Sequence, residues 1–341
     1  GGSVKQNGSY RDTREQLEQQ GVDITEFAGI KPNPRVEEVR KAAERGREEN
    51  VEMIVAVGGG SVIDSAKIIA LSVVENADAW EIMTGRHKPS AALPLIAVLT
   101  LAATGTEMNA VAVLQNPETL EKIGFRHELI YPVHSFLDPS YTQSVPANYT
   151  AFGIVDLVAH CLEAWFGDGN AHLSDRLVAA IIQEAMEAGP ELMKDLQNYE
   201  LRARIMWAAT NALNNLTMYG RGSGDWGVHA LGHTLSFLYD TPHGASLSIM
   251  YPAWMEVMSE RAGSRIRKLG QMLFHTDSAE ETIERLKSFF SSLGSPVSCR
   301  EAGIGEAKLK ETLELMNRNG AGGIHYQLDE REREAILSMA M

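Results

Sequence analysis

The pattern of apolar residues changes once along the chain, near Pro146, and this change constrains the fold more than any other feature. Before it, short apolar runs that favour strands alternate with helix-like segments, which predicts parallel strands in βαβ units. After it, strand signals almost disappear and apolar residues recur at helical spacing. We therefore predict an α/β domain over residues 1–145 and an all-helical domain over residues 146–341.

Individual elements follow from the same patterns. The predicted strands are residues 21–27, 52–57, 95–99 and 135–137. The predicted helices are residues 5–20, 35–50 and 61–74 in the first domain, and include 179–193, 202–216 and 280–293 in the second. Because residue 1 starts inside a glycine-rich turn with no strand before it, we also expect that sequence upstream of it is missing.

Composition narrows the class of protein. With 341 residues, 44% of them hydrophobic and 22% charged, the chain can build a packed core of two ordinary domains. Its net charge of −14 argues against a nucleic-acid partner. Two cysteines cannot form a disulfide framework, which predicts a reduced, cytoplasmic protein. The longest apolar runs, such as residues 94–103, are too short to span a bilayer, so no membrane partner is expected.

Two glycine-containing turns follow predicted strands. In the first, Gly58–Gly60 and Ser61 open a helix, where flexible backbone and free N–H groups suit a pyrophosphate. The same residues also suit a tight turn that binds nothing. In the second, TLAATGTEMN at residues 100–109, hydroxyl side chains surround Gly105. They could contact phosphate or ribose oxygens, or could cap a helix.

Histidines and one aspartate form a candidate metal site. Asp156 and His160 are four residues apart, as are His229 and His233, so each pair shares one face of a helix, and His243 follows closely. Each residue alone could be an ordinary hydrogen-bonded side chain, and Asp156 with His160 could be a simple salt bridge. Together they favour a metal site, because a buried Asp156 needs a partner. Nitrogen and oxygen ligands suit Fe²⁺ or Zn²⁺, and Cys161, about 100° away on the helix, is expected in the core.

Several of these segments together resemble one known family. The segments are GGGSVIDSAK (58–67), TLAATGTEMNA (100–110), FLDPSYT (136–142), GIVDLVAHCLE (153–163) and HALGHTLSFLYDTPHG (229–244). They are similar to the iron-dependent, group III alcohol dehydrogenases, and most similar to the branch of butanol dehydrogenases and YqhD-type aldehyde reductases. The similarity runs over the whole chain.

The resemblance implies a dehydroquinate synthase-like fold, in which an α/β dinucleotide-binding domain and a helical domain enclose the cofactor and the metal. It implies four metal ligands: Asp156, His160, His229 and His243. It places His233 near the nicotinamide and the substrate. Because imidazole titrates near neutrality, we expect His233 to act as the catalytic proton relay. The residues that it assigns to the cofactor are Gly1, Gly2, Ser3, Gly59, Gly60, Ser61, Asp64, Thr100, Thr104, Lys122 and Leu137. It further implies an additional N-terminal segment and a homodimer.

The expected function is therefore the interconversion of small primary alcohols and aldehydes, with NADP as the cofactor and NAD as the alternative. NADP is favoured because the segment assigned to the adenosine ribose, residues 1–5, holds a lysine and no acid. The aromatic and apolar residues Trp226, Phe237, Leu238 and Tyr239 could form a substrate pocket or belong to the helix core.

Three other classes of protein compete with this expectation. A non-redox enzyme resembling 3-dehydroquinate synthase would need many basic residues near the metal, and residues 226–243 contain none. A metal-dependent hydrolase would not need the glycine turns. A non-catalytic binding protein would not need Asp156 together with all three histidines of residues 229–243.

Overall fold

The computed structural model describes residues 3–341. Its strands are β1 (Ile54–Gly58), β2 (Leu95–Leu99), β3 (Val111–Asn116), β4 (Glu121–Arg126) and β5 (His134–Phe136). The helices of the first part are α1 (Ser3–Gln6), α2 (Ser9–Gln19), α3 (Val36–Glu48), α4 (Gly60–Glu75) and α5 (Ala79–Met83). Those that follow are α6 (Ala147–Phe166), α7 (His172–Lys194), α8 (Tyr199–Ala212), α9 (Gly227–Tyr239), α10 (His243–Val257), α11 (Ser259–Phe274), α12 (Ala279–Ser292), α13 (Leu309–Arg318) and α14 (Glu330–Met339). The predicted combination of an α/β part and a helical part is confirmed.

The central sheet is parallel, with the order β1–β2–β5. Its register pairs Gly58 with Leu99 and Val98 with Phe136, so the carboxyl ends of the three strands reach the same edge. Each of these strands lies within three residues of its predicted position. The loops that leave this edge, together with the first residues of α4, carry seven of the eleven predicted cofactor residues, as expected for a crevice at the carboxyl ends of parallel strands.

The antiparallel hairpin β3–β4 was absent from the sequence expectations. It packs against α4, and its second strand also contacts α9 of the helical part. The hairpin therefore extends from the α/β part toward the predicted metal site, and it carries Lys122.

The predicted strand at residues 21–27 is wrong. The segment is irregular, and it forms no ladder with any strand of residues 3–341. Its apolar side chains Val22, Ile24 and Phe27 are all exposed, so no apolar contact holds it against the sheet. Isolated apolar residues of high strand propensity are not sufficient without a neighbouring strand, because strand stability comes from packing and pairing.

The helical part encloses the largest apolar core, to which α6 and α10 contribute most of their length. Trp165, Tyr251 and Trp254 are almost fully buried there. Cys161 also lies in this core, as its position on α6 predicts. Across residues 3–341 no helix combines the length and apolar character that a membrane-spanning segment requires.

Candidate metal and cofactor site

Four side chains from three helices converge on one point. Asp156 and His160 lie one turn apart on α6, His229 lies in the first turn of α9, and His243 is the first residue of α10. The Oδ1 atom of Asp156 is 3.7 Å from Nε2 of His160, 3.9 Å from Nε2 of His229 and 3.7 Å from Nε2 of His243. The structure thus brings together all four predicted metal ligands.

The geometry of this cluster fits a metal ion. Ligand atoms of Asp156, His229 and His243 all lie within 4.8 Å of one another. In a tetrahedral site with bonds of 2.0–2.2 Å, ligand atoms stand roughly 3.4 Å apart, so a small contraction of these three side chains suffices. His160 lies outside this group of three, although its Nε2 atom is 3.7 Å from Asp156 Oδ1. Asp156 Oδ1 and His229 Nε2 are buried without a hydrogen-bond partner in residues 3–341. A shared cation would satisfy both atoms.

Burial dominates the ionisation of the cluster. It raises the pKa of Asp156 to about 7, although the charges of His229 and Lys122 oppose the rise. It lowers the pKa of His160 and of His243 well below the usual value of a histidine. The imidazoles of His160 and His243 are therefore neutral at pH 7, which is the form that binds a metal ion.

Two glycines let the helices that carry these ligands approach closely. Any Cβ on Gly153 of α6 would overlap the carbonyl oxygen of Ala102, which lies in the loop after β2. Any Cβ on Gly244 of α10 would overlap the carbonyl oxygen of Phe152. The absence of side chains at these two positions therefore places Asp156 beside the edge of the sheet and His243 beside α6.

His233 lies next to the cluster and differs from it in its contacts. Its Nδ1 atom is 3.2 Å from the carbonyl oxygen of Lys122, and its Nε2 atom is buried with no partner in the described part of the chain. Its ring centroid is 5.3 Å from that of His243. Burial, followed by the charge of Lys122, lowers the pKa of His233 well below its usual value. With Nδ1–H donated to a carbonyl, Nε2 carries the lone pair.

The first glycine turn joins β1 to α4. The amino end of α4, a helix of 16 residues, has no side-chain cap, so its first N–H groups are available to an anion. A Cβ on Gly60 would lie 2.8 Å from the side chain of Thr104, which brings the two predicted turns into contact. Thr100 and Leu137 follow β2 and β5 at the same edge. Ser61 lies in the first turn of α4.

Asp64 is less available to a ligand than the sequence suggests. Its carboxylate accepts hydrogen bonds from the Thr106 hydroxyl at 2.6 Å and from the N–H of Val113 at 3.0 Å. Its neighbour Lys67, which the sequence analysis did not single out, is fully buried. The Lys67 ammonium donates to four oxygen atoms, which belong to Thr106, Asn109 (two atoms) and Val111. This network fixes the second turn against α4.

Lys122 lies between the two halves of the site. Its ammonium donates to Oδ1 of Asn33 at 2.9 Å, and the Asn33 amide donates to Asp240 at the end of α9. Burial lowers the pKa of Lys122 to about 8, against the opposing charges of Asp156, Asp64 and Asp240. Asn33 thus links β4 to the end of α9, a role that its turn between Pro32 and Pro34 does not reveal in the sequence.

The remaining predicted cofactor residues lie at the start of the chain. Ser3 is exposed at the beginning of α1. Gly1 and Gly2 lie outside the described residues. Lys5 is exposed and its ammonium lies 3.6 Å from the carboxylate of Glu26.

Comparison with known proteins gives a consistent result. The family model described as "Iron-containing alcohol dehydrogenase" matches residues 1–139, and that described as "Fe-containing alcohol dehydrogenase family, C-terminal" matches residues 150–340. The chain is 38% identical to a probable NADH-dependent butanol dehydrogenase 1 of Bacillus subtilis, with 100% of this chain and 90% of that protein aligned. It is 35% identical to the NADPH-dependent aldehyde reductase YqhD of Escherichia coli, over 94% of this chain and 84% of that protein.

Solved structures agree with the sequence comparison. The NADH-dependent butanol dehydrogenase A of Thermotoga maritima superimposes with a TM-score of 0.96 at 34% identity, covering 100% of this chain and 89% of that one. The two family models together match nearly all of the chain, and relatives above 30% identity share its fold. The chain therefore belongs to the iron-containing alcohol dehydrogenase family.

Proposed function

We propose that this protein is a metal-dependent, NAD(P)H-linked alcohol dehydrogenase and aldehyde reductase that interconverts small primary alcohols and aldehydes. The observation that carries the proposal is the convergence of three imidazole Nε2 atoms on Asp156 Oδ1, beside the edge of the sheet where the glycine turn opens α4. Relatives named as butanol dehydrogenases and as an aldehyde reductase support this substrate class.

The four converging residues would hold Fe²⁺ or Zn²⁺, since nitrogen and oxygen ligands suit both ions. Such an ion supplies Lewis acidity toward the oxygen of an alcohol or aldehyde. With Asp156 as the single carboxylate among four ligands, the site keeps a net positive charge. The burial of Asp156 and His160 excludes water from the ligand side of the site.

The nicotinamide cofactor supplies the hydride chemistry. The N–H groups at the amino end of α4, with Gly59, Gly60 and Ser61, would bind the pyrophosphate. Thr100, Thr104 and Leu137 would line the cleft at the carboxyl ends of β2 and β5. Lys122 and Asp64 would complete its polar wall.

His233 would move the proton that accompanies the reaction. The carbonyl of Lys122 keeps the ring proton on Nδ1, which leaves Nε2 free to accept a proton from an alcohol. Because burial lowers the pKa of His233, the protonated ring is a stronger acid than an ordinary imidazolium, which favours return of the proton during aldehyde reduction. His233 is thus suited to a relay rather than to permanent charge.

We also propose a cytoplasmic homodimer. Both cysteines are buried free thiols, which fits a reducing compartment. The edge strand β5 and the residue before it expose Phe136 and Val133, which offers apolar surface to a second copy. Light scattering on the purified protein measures the mass directly, and a monomer at micromolar concentration would contradict the dimer.

A substrate panel tests the proposed function. Protein loaded with Fe²⁺ or Zn²⁺ is assayed for oxidation of NADH and NADPH with butanal, other small aldehydes and aromatic aldehydes. We expect aldehyde-dependent oxidation of at least one of the two cofactors. Protein that binds metal and nucleotide but reduces no aldehyde would contradict the proposal and would favour non-redox chemistry.

A further inference from the structure

Glu163 is a buried carboxylate in contact with the candidate metal site. It lies on α6, three residues after His160, and its exposed fraction is 1%. Its Oε1 atom is 2.7 Å from Nδ1 of His229 and also accepts the backbone N–H of His229 at 3.1 Å. Its Oε2 atom accepts the backbone N–H of Trp226 at 2.5 Å. Three donors of one short segment therefore surround this carboxylate.

The contact with Nδ1 decides which ring nitrogen of His229 carries the proton. A carboxylate accepts hydrogen bonds and does not donate them, so it stabilises the tautomer with hydrogen on Nδ1. The lone pair is then on Nε2, the atom that lies 3.9 Å from Asp156 Oδ1 and has no partner within residues 3–341. The opposite tautomer would direct N–H toward the point where the four side chains meet.

The backbone contacts fix the position of the same ring. Trp226 precedes α9 in the left-handed region at φ 64°, and His229 is the third residue of that helix. Glu163 therefore caps the amino end of α9 from a different helix, since the first N–H groups of a helix have no partner within it. The carboxylate holds α9 against α6 at the level of His160 and orients the His229 ring between them.

We propose that Glu163 is a positioning residue, which holds His229 in the Nδ1–H tautomer and thereby presents the Nε2 lone pair to the metal ion. This inference rests on the proposed function, because it assumes that the cluster binds a metal. Partners of this kind behind a metal-binding histidine orient the ring and increase its basicity, and their loss weakens metal binding.

Glu163→Gln is the sharpest variant, because it keeps the volume and removes one acceptor. If the amide oxygen faces His229, the amide NH₂ group opposes the N–H of Trp226. If the oxygen faces Trp226, the NH₂ group faces Nδ1 of His229 and favours the wrong tautomer. In the first orientation one of the three contacts becomes a repulsion between donors, and in the second the NH₂ group opposes the backbone N–H of His229 as well.

Asp225→Asn is a matched control. Asp225 is a buried carboxylate that also caps α9, since it accepts the N–H of Gly227 at 3.3 Å, together with those of His325 and Tyr326. Its hydrogen bonds all come from backbone groups, as far as the described residues show. Its amide variant therefore disturbs the same helix end without changing the tautomer of a metal ligand.

The test measures metal binding in the full chain without substrate. Metal-free wild-type protein and both variants are titrated with Zn²⁺ against a competing chelator, and Co²⁺ loading is followed by visible ligand-field absorption. The melting temperature of each metal-free protein reports the stability of the fold. We expect Glu163→Gln to weaken Zn²⁺ binding about 10- to 100-fold and to alter the Co²⁺ spectrum. Asp225→Asn should lower the melting temperature but keep the wild-type affinity and spectrum.

Two results would overturn the role of Glu163 without affecting the metal site. In the first, Glu163→Gln keeps the wild-type Zn²⁺ affinity and Co²⁺ spectrum. In the second, both variants lose the same affinity, which would show that only the end of the helix matters. A wild-type protein that binds neither ion would overturn the metal site itself, and with it the inference.

Discussion

His233 differs from the neighbouring histidines in what its two ring nitrogens contact. The Nε2 atoms of the other three histidines lie within 4 Å of Asp156; these are His160, His229 and His243. His233 instead donates a hydrogen bond from Nδ1 to a backbone carbonyl, and its Nε2 atom has no partner among the described residues. This difference suits the three other histidines to metal binding and His233 to proton transfer.

His233→Ala tests that separation. We expect the variant to keep its bound metal and to lose about 10²-fold or more in kcat, on the scale of general acid–base catalysis. Metal content and steady-state kinetics are measured on the same preparation. His172→Ala, at an exposed histidine that begins α7, serves as the control. Loss of stoichiometric metal in His233→Ala would instead make His233 a ligand.

The spacing of residues on helices indicated a metal site among these side chains, and the family resemblance, not the spacing, selected His243 rather than His233 as a ligand. Asp156 with His160, and His229 with His233, each fall on one helix face as their four-residue separation requires. Glu163 was missed, although its place three residues after His160 puts it on the same face. Its role depends on contact with α9, and no local pattern on α6 reveals a contact between distant helices. Lys67 was missed for the same reason.

At the scale of elements, one buried aspartate joins two helices of the helical part and the segment after α8. Asp175 on α7 accepts hydrogen bonds from Arg221, and from Arg265 and Lys268 on α11. Burial would raise the pKa of Asp175, but these three donors outweigh it and hold the pKa well below its usual value. The carboxylate therefore stays ionised in the folded protein far into the acid range.

Asp175→Asn should destabilise the fold by about 3 kcal/mol or more, because it leaves the buried guanidinium of Arg221 without its partner. A group whose pKa is lower in the folded state contributes stability above its unfolded pKa, near 3.9, and loses it as the pH falls. Urea unfolding of wild type and variant should show the full difference at pH 7, and the difference should shrink below about pH 4. Asp168→Asn, at an exposed aspartate, is the control. A difference that grows toward low pH would contradict this account.

The parallel strands were predictable and the hairpin was not, for reasons visible in each segment. β1, β2 and β5 follow the expected alternation with helices, and β2 is an unbroken apolar run. β4 (EKIGFR) contains three charged residues and a glycine. The turn before it has Leu120 in the left-handed region, where Asn or Gly usually marks a hairpin. Its strand character therefore depends on pairing with β3.

At the scale of the whole molecule, the site lies where the α/β and helical parts meet. Lys122, Asn33 and Asp240 form a chain of hydrogen bonds across this junction. The tip of the hairpin adds two more, from Arg318 and Asn319 to backbone carbonyls. The division into domains at residues 145 and 146 stays a prediction, as does the residue assignment of the cofactor site.

We expect the protein to prefer NADPH, with a higher kcat/KM for NADPH than for NADH. The segment predicted to face the adenosine ribose holds no acid, and Lys5 remains exposed because its contact with Glu26 is a surface ion pair. Ser3→Asp should reduce the preference through repulsion of the 2′-phosphate. Relatives are named both as NADH-dependent and as NADPH-dependent. Steady-state kinetics of this protein with both cofactors therefore measures its preference. A clear NADH preference would contradict the expectation.

Whether the cluster around Asp156 binds the metal on which the reaction depends is tested most directly by two measurements on wild type and Asp156→Ala. These are the metal content of each protein and its rate of aldehyde reduction. Wild-type protein should hold a divalent ion and lose activity when the ion is removed. Asp156→Ala should retain neither metal nor activity, and His243→Ala should give the same result. Circular dichroism should show little loss of helix in either variant, because both residues lie on packed helices. Full activity in metal-depleted Asp156→Ala would contradict the claim.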